Sequence, residues 1–211
     1  MSYKIREGLS YCLCEGRPIF LDIDNGRYLT LPTQLCAPFV TLMCHEVDIA
    51  PHDMERLLAL RVIERGEPTP CMITQLRAPS CEVAPTQHRS WSVAAAVAQG
   101  LATHRVRHWP LGRLFAVEAA RRPSNRTAEK NDLARLRGAF DRIAMVFGEA
   151  DACLPRSLAF RRLAFHCGHR PSLVIGVKMD PFGAHCWVQS GTCIDNDSIE
   201  RVRLFTPIHV I

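Results

Sequence analysis

Prolines at 68, 70, 79 and 85 interrupt residues 67–88, and little hydrophobic period survives there. Proline fixes φ and removes a backbone donor, so neither a helix nor a central strand runs through such a stretch. The chain is therefore read as two modules, residues 1–66 and 89–211, joined by a linker at 67–88. A length of 211 residues with 47% hydrophobic and 22% charged residues suits that division and argues against wholesale disorder. No apolar run approaches the ~18 residues of a membrane span. The opening Met1–Glu7 has no apolar core of a signal peptide. The expectation is a cytoplasmic protein with no membrane partner.

Ten cysteines is a high count, but no CxxC pair occurs. The tightest spacing, Cys12-Leu13-Cys14, suits no structural zinc site, so no metal is expected. Without an export signal, disulfides are not expected either, and most cysteines read as small buried hydrophobes. The net charge of +5 is uneven. Residues 1–88 carry 8 basic and 11 acidic groups, whereas residues 89–175 carry 15 and 6. The basic middle attracts acidic partners.

In the first module, Tyr11–Cys14, Arg17–Ile23 and Arg27–Leu31 read as a three-strand meander. Asp24-Asn25-Gly26 supplies a tight hairpin turn. Thr33 caps a helix through about Cys44. Pro51 opens a second helix with Met54, Leu57, Leu58 and Val62 on its apolar stripe. Beyond the linker, Trp91–Thr103, Leu111–Arg122, a segment from Thr127 to Phe147 and one from Asp151 to Cys167 read as helices. After Pro171 the period switches to strands at Leu173–Met179, His185–Ser190, Thr192–Asp197 and Thr206–Ile211.

Three features of the second module coincide. Cys153 opens a helix, where free backbone N–H groups and the helix dipole stabilise a thiolate. His185 enters a strand beside Trp187 and suits a general base. A three-residue loop around Gly191 sets Asp197 opposite His185, with both side chains on one face. Asp195 lies on that face as a diagonal alternative, and a one-residue slip offers Asn196 instead. Cys186 alternates to the opposite face. The order Cys…His…Asp is that of papain-like and transglutaminase-like enzymes. The Cys153 N–H is one oxyanion donor; the second is unassigned, because Phe147 stands where papain has a side-chain amide.

These residues lie in longer strings: Asp151-Ala152-Cys153-Leu154-Pro155-Arg156-Ser157-Leu158, Leu173-Val174-Ile175-Gly176-Val177, Pro181-Phe182-Gly183-Ala184-His185-Cys186-Trp187-Val188-Gln189, Asn196-Asp197, and Arg203-Leu204-Phe205-Thr206-Pro207-Ile208. Together they resemble the B proteins of lasso-peptide biosynthesis, closely over about the last sixty residues. The resemblance implies a transglutaminase-like cysteine peptidase with Cys153, His185 and Asp197 as its triad. It also implies a fused N-terminal recognition module, winged-helix-like, of three strands and three helices. The implied fold class is α+β, this module followed by a papain/transglutaminase-like peptidase domain with an antiparallel sheet. The leader peptide would add as a strand to Arg27, Tyr28, Leu29, Thr30 and Leu31 and pack on Asp53, Arg56, Leu57 and Leu60. The bland alternative makes the same positions the module's own core.

The function so implied is removal of the leader from a ribosomal precursor peptide. That frees the core amine for macrolactam formation by a partner cyclase resembling asparagine synthetases. No GxxxxGK[ST] occurs, and thiol chemistry needs no nucleotide, so no cofactor is assigned. Two other readings stand beside it. One is an acyltransferase using the same triad. The other is a non-catalytic nucleic-acid-binding protein, disfavoured because the small module is acidic.

Overall fold

The computed structural model describes residues 3–44, 49–67, 76–86, 91–129, 131–147 and 152–211, with the side chains of 145–147 left aside. Its elements are mixed α and β. Among the described residues the first module has five strands: β1 (Tyr3–Ile5), β2 (Leu9–Cys14), β3 (Arg17–Asp22), β4 (Arg27–Thr30) and β5 (Ile63–Arg65). Among the described residues two helices, α1 (Thr33–Met43) and α2 (Pro51–Ala59), accompany them.

The β2-β3-β4 meander forms as expected. Its second turn is wider than a two-residue hairpin: Asp22 pairs Arg27, leaving four residues in the loop. Only Gly26 there has positive φ, at 62°. Helix α2 ends earlier than its stripe suggested. Arg61 turns the chain at φ 55°, and Ile63–Arg65 pairs antiparallel with Tyr3–Ile5. That pairing competes with helix continuation, so Val62 reaches the core from a turn.

Strand β3 is buried on both faces. Phe20 packs with Leu35, Phe39 and Leu57 in the module's own core. Ile19 and Leu21 belong to the main core with Phe160, Ile175 and Ile208. An alternation of apolar side chains thus serves two cores at once. Each fully buried side chain of this size contributes roughly 1.5–3 kcal/mol.

The second module places α3 (Ser92–His108), α4 (Leu111–Ala120), α5 (Asp132–Phe147) and α6 (Cys153–His166) ahead of β7 (Ser172–Lys178), β8 (Gly183–Ser190), β9 (Cys193–Ile194), α7 (Ile199–Val202) and β10 (Thr206–Val210). With β6 (Cys81–Glu82) the sheet order is β10-β7-β8-β9-β6, antiparallel except for β6 on β9. Leu136, Phe140, Leu158, Phe160 and Ala164 cover one face of this sheet against Leu173, Ile175 and Val188. Trp187, Val174 and Ile194 lie in a smaller cluster with Leu76 and Val202. The meander packs onto β10, where Ser10 Oγ meets His209 Nδ1 at 2.7 Å.

Residues 76–86 correct the linker expectation. They form a strap along the far edge of the sheet. Ser80 N–H donates to Thr192 O (2.9 Å), Val83 N–H to Ile194 O (2.8 Å), and Thr86 N–H to Ala134 O (3.0 Å). Gln189 Nε2 donates to Arg77 O (2.7 Å). Cys81 and Cys193 are disulfide-bonded, a second correction, since most cysteines were expected to be small buried hydrophobes and no disulfide was expected. Cys12, Cys14, Cys167 and Cys186 are buried as expected, while Cys44 is exposed. Among the described residues no helix is long and apolar enough to cross a membrane.

Candidate active site

Cys153 is the first residue of α6, preceded by Ala152. Pro155 sits in the first turn, where a missing N–H costs nothing because those donors lack intrahelical acceptors. Burial pushes the Cys153 thiol up in pKa. Its hydrogen bond with His185, the imidazolium charge, and backbone hydrogen bonds from Cys186 and Leu154 outweigh that burial and lower it below 9.0. The contrast with other cysteines is chemical. Burial raises the thiol pKa of Cys12 to about 12 and of Cys167 to about 11, and holds that of Cys186 well above 9.0. Those thiols stay protonated and inert.

His185 stands near the start of β8, between Cys153 and Asp197. Its Nε2 meets Asp197 Oδ2 at 2.5 Å. The other ring nitrogen, Nδ1, is thereby left for the thiol. Burial lowers the imidazole pKa, but the bonds to Asp197 and Cys153 raise it to about 9. Asp197 is held low against its own burial by His185, the Ser198 N–H (2.7 Å) and Arg201. The arrangement favours thiolate, imidazolium and carboxylate together. The imidazole packs against Phe205, ring centroids 5.0 Å apart, and lies 6.2 Å from Trp187. Gly176, directly opposite His185, admits the Trp187 ring, since a Cβ there would lie 2.7 Å from Trp187 Cζ3.

The hairpin register differs from the expected one. Ser190 pairs Cys193 and Gln189 pairs Ile194, so the turn holds two residues, not three. A continued ladder would set Ser198 opposite His185. The ladder stops instead. Asp195 N–H still donates to Val188 O (2.9 Å), but the next acceptor is a side chain, Asn196 Oδ1, which takes Val188 N–H at 2.7 Å. The chain then bends, and Asp197 swings to His185. Asp195 is fully buried and hydrogen-bonded by Ser190 Oγ (2.7 Å), away from the imidazole. Burial raises its pKa to about 7.

The sequence offered Asn196 only as an alternative partner for His185 and gave Ser157 no role. Asn196 Nδ2 donates to Ser157 Oγ (2.9 Å), and Ser157 Oγ donates to Cys186 O (2.9 Å). This buried bracket ties α6, one turn below Cys153, to β8 beside His185. The clue was present: a serine four residues after the cysteine shares its helix face.

A cleft of about 500 Å3 opens on Cys153, His185 and Asp197, with Arg137, Arg156 and Arg201 in its walls. Arg156 is paired with Asp141 at 2.7 Å. Among the described residues no three His, Cys, Asp or Glu converge as metal ligands. Phe147, the residue at the expected oxyanion position, has a side chain outside the described part.

The family assignment rests on this half of the chain. Residues 98–210, more than half of the sequence, match the model of the transglutaminase-like superfamily. The chain belongs to that superfamily. The match spans Cys153, His185 and Asp197 and excludes the first module. No curated protein and no solved structure matches the chain.

The residues assigned to peptide binding divide. Strand β4 is an edge of its sheet. A groove of about 600 Å3 beside it is lined by Arg27, Leu29, Leu58 and Leu60. Leu60 is 47% exposed. Thr30 and Arg56 are exposed and Asp53 is half-buried, all outside that lining. Leu57 is fully buried and Leu31 is 9% exposed, both in the module's own core, so the bland alternative holds for them. Tyr28 alternates away from the groove toward Cys153, packing edge-on to Phe182 at 5.5 Å.

Proposed function

We propose that this transglutaminase-like protein is a cysteine peptidase that removes the leader from a lasso-peptide precursor. The observation that carries the chemistry is His185 held by Asp197 at 2.5 Å, beside a thiol at a helix start whose pKa it lowers. The Cys153 thiolate attacks the scissile carbonyl carbon. The tetrahedral oxyanion faces the N–H groups at the start of α6. His185 gives its proton to the leaving amine, the C–N bond breaks, and a thioester remains. His185 then takes a proton from water, whose oxygen attacks the thioester and releases the carboxylate and the thiol. Asp197 holds the imidazole and offsets its charge throughout.

The leader reading draws on the resemblance of the Cys153, His185 and Asn196-Asp197 strings and on the groove beside the edge strand β4. In it the leader extends β4 through main-chain hydrogen bonds, with Arg27, Leu29 and Leu60 as side-chain contacts. Leader removal releases the core amine to an asparagine-synthetase-like cyclase. The deciding experiment incubates the pure protein with the precursor peptide and follows the products by mass spectrometry. The wild type makes one leader-sized cut; Cys153→Ala makes none and still binds the leader. Turnover by Cys153→Ala refutes the nucleophile. An amide product formed with an added amine, in place of free acid, favours acyl transfer.

A further inference from the structure

A second cavity, of about 400 Å3, also borders Cys153 and His185, and Arg137, Arg156 and Arg201 are not in its lining. Its character is opposite to that of the cleft. Trp109, Leu111, Phe115, Leu154 and Ile175 line it, and among the described residues no Asp, Glu, Lys or Arg does. Tyr28, from the first module, forms part of its wall. Its volume accommodates a branched or aromatic side chain and falls in the range of small-molecule sites. The cavity is continuous with the reacting thiol, so whatever fills it lies within one residue of the carbonyl under attack. An apolar occupant is the one that such walls favour, because a charged side chain would lose its water without gaining a partner. Phe182, 53% exposed, stands beside Tyr28 as further apolar surface.

We propose that this cavity is the specificity pocket for an apolar side chain flanking the attacked bond, and that the first module completes it through Tyr28. The inference rests on Cys153 being the nucleophile of the proposed peptidase. Strand β4 then serves two ligand surfaces. Arg27 and Leu29 face the groove, and Tyr28, between them, faces the pocket. A peptide strand added along β4 is therefore one side-chain length from the wall of the catalytic pocket. Recognition and cutting share an element and need no long-range relay.

The test alkylates the full-length protein with iodoacetamide and with N-benzyl iodoacetamide and reads Cys153 by peptide mass spectrometry. Exposed Cys44 is the internal reference. Burying the benzyl group raises the benzyl-to-parent rate ratio at Cys153 about tenfold or more over that at Cys44. Tyr28→Ser and Leu111→Gln each lower the Cys153 ratio severalfold. Because the ratio is internal to each variant, a general loss of reactivity does not mimic the effect. Rapid alkylation of Cys153 with equal ratios at both cysteines overturns the pocket and leaves the nucleophile standing. Slower alkylation of Cys153 than of Cys44 by both reagents overturns the nucleophile and the pocket with it. A ratio lowered by Leu111→Gln but not by Tyr28→Ser overturns the contribution of the first module.

Discussion

Replacing Ser157 by alanine tests whether the distance between thiol and imidazole is set by the bracket under them. The Ser157 hydroxyl is fully buried and makes two bonds of 2.9 Å, one accepted from Asn196 and one donated to Cys186 O. Alanine removes both and leaves the largely buried Asn196 Nδ2 and the Cys186 carbonyl without that partner. A buried hydrogen bond contributes about 1 kcal/mol net, and an orphaned polar group costs roughly 1–3 kcal/mol. The expected loss of stability is about 2–4 kcal/mol. The catalytic consequence is separate. Ser157 lies one helical turn below Cys153, and Cys186 adjoins His185. Freeing α6 from β8 by a fraction of an ångström lowers kcat about tenfold to a hundredfold, by the usual sensitivity of reacting geometry. KM for the precursor stays within about twofold, since the groove beside β4 is elsewhere. Urea unfolding measures the first effect and precursor cleavage under saturating substrate the second. A variant that loses the stability but keeps kcat within about twofold of wild type refutes the bracket as a positioning device and leaves it a packing contact.

The proton inventory predicts a pH profile. Cleavage rises as the Cys153 thiolate forms, below the ordinary thiol value, and falls above about pH 9 as His185 loses its proton. Alkylation of Cys153 should not fall there, because the thiolate persists; a parallel fall in both refutes the ion pair. Asp197→Asn should cost at least about tenfold in cleavage. Asp195→Asn should leave cleavage intact and raise the melting temperature at pH 8. The folded pKa of Asp195 is raised to about 7 from 3.8, so the buried carboxyl weakens the fold progressively as pH climbs between those values, and the gain should vanish near pH 3. Equal losses from both variants would refute the division of roles. Leu60→Asp, on the exposed rim of the groove, should weaken leader binding at least about tenfold by fluorescence anisotropy while leaving Cys153 alkylation unchanged.

The parts of the site carried by local chemistry were legible. A cysteine between Asp151-Ala152 and Pro155 announces a helix start, and His185 before Trp187 announces a strand. The partnership of His185 with Asp197 was read correctly from a register that is wrong. Sequence spacing does not reveal that Asn196 replaces a backbone acceptor and bends the chain. The strap was illegible for a related reason. Its prolines forbid regular elements, but they do not forbid two ladder residues and a row of bonds to β9. Cys81 and Cys193 are 112 positions apart, so only the fold brings them together. The double burial of β3 was also hidden. Alternation identifies a strand with two faces and is silent on what covers the second one. Tyr28 shows the cost: read as one position in a binding edge, it lies on the reverse of that edge.

The packing of the meander on β10 bears on how this chain can be divided. Cys12, Cys14, Ile19 and Leu21 are buried against residues of the second module, Val177 and Ile208 among them. A fragment ending at residue 66 would carry that face naked into water, and the remaining fragment would carry its mould. Each half is thus the other's most complementary surface. Two separately expressed polypeptides, cut ahead of the strap so that it stays with the sheet it edges, should reassemble on mixing, which co-elution on size-exclusion chromatography would check.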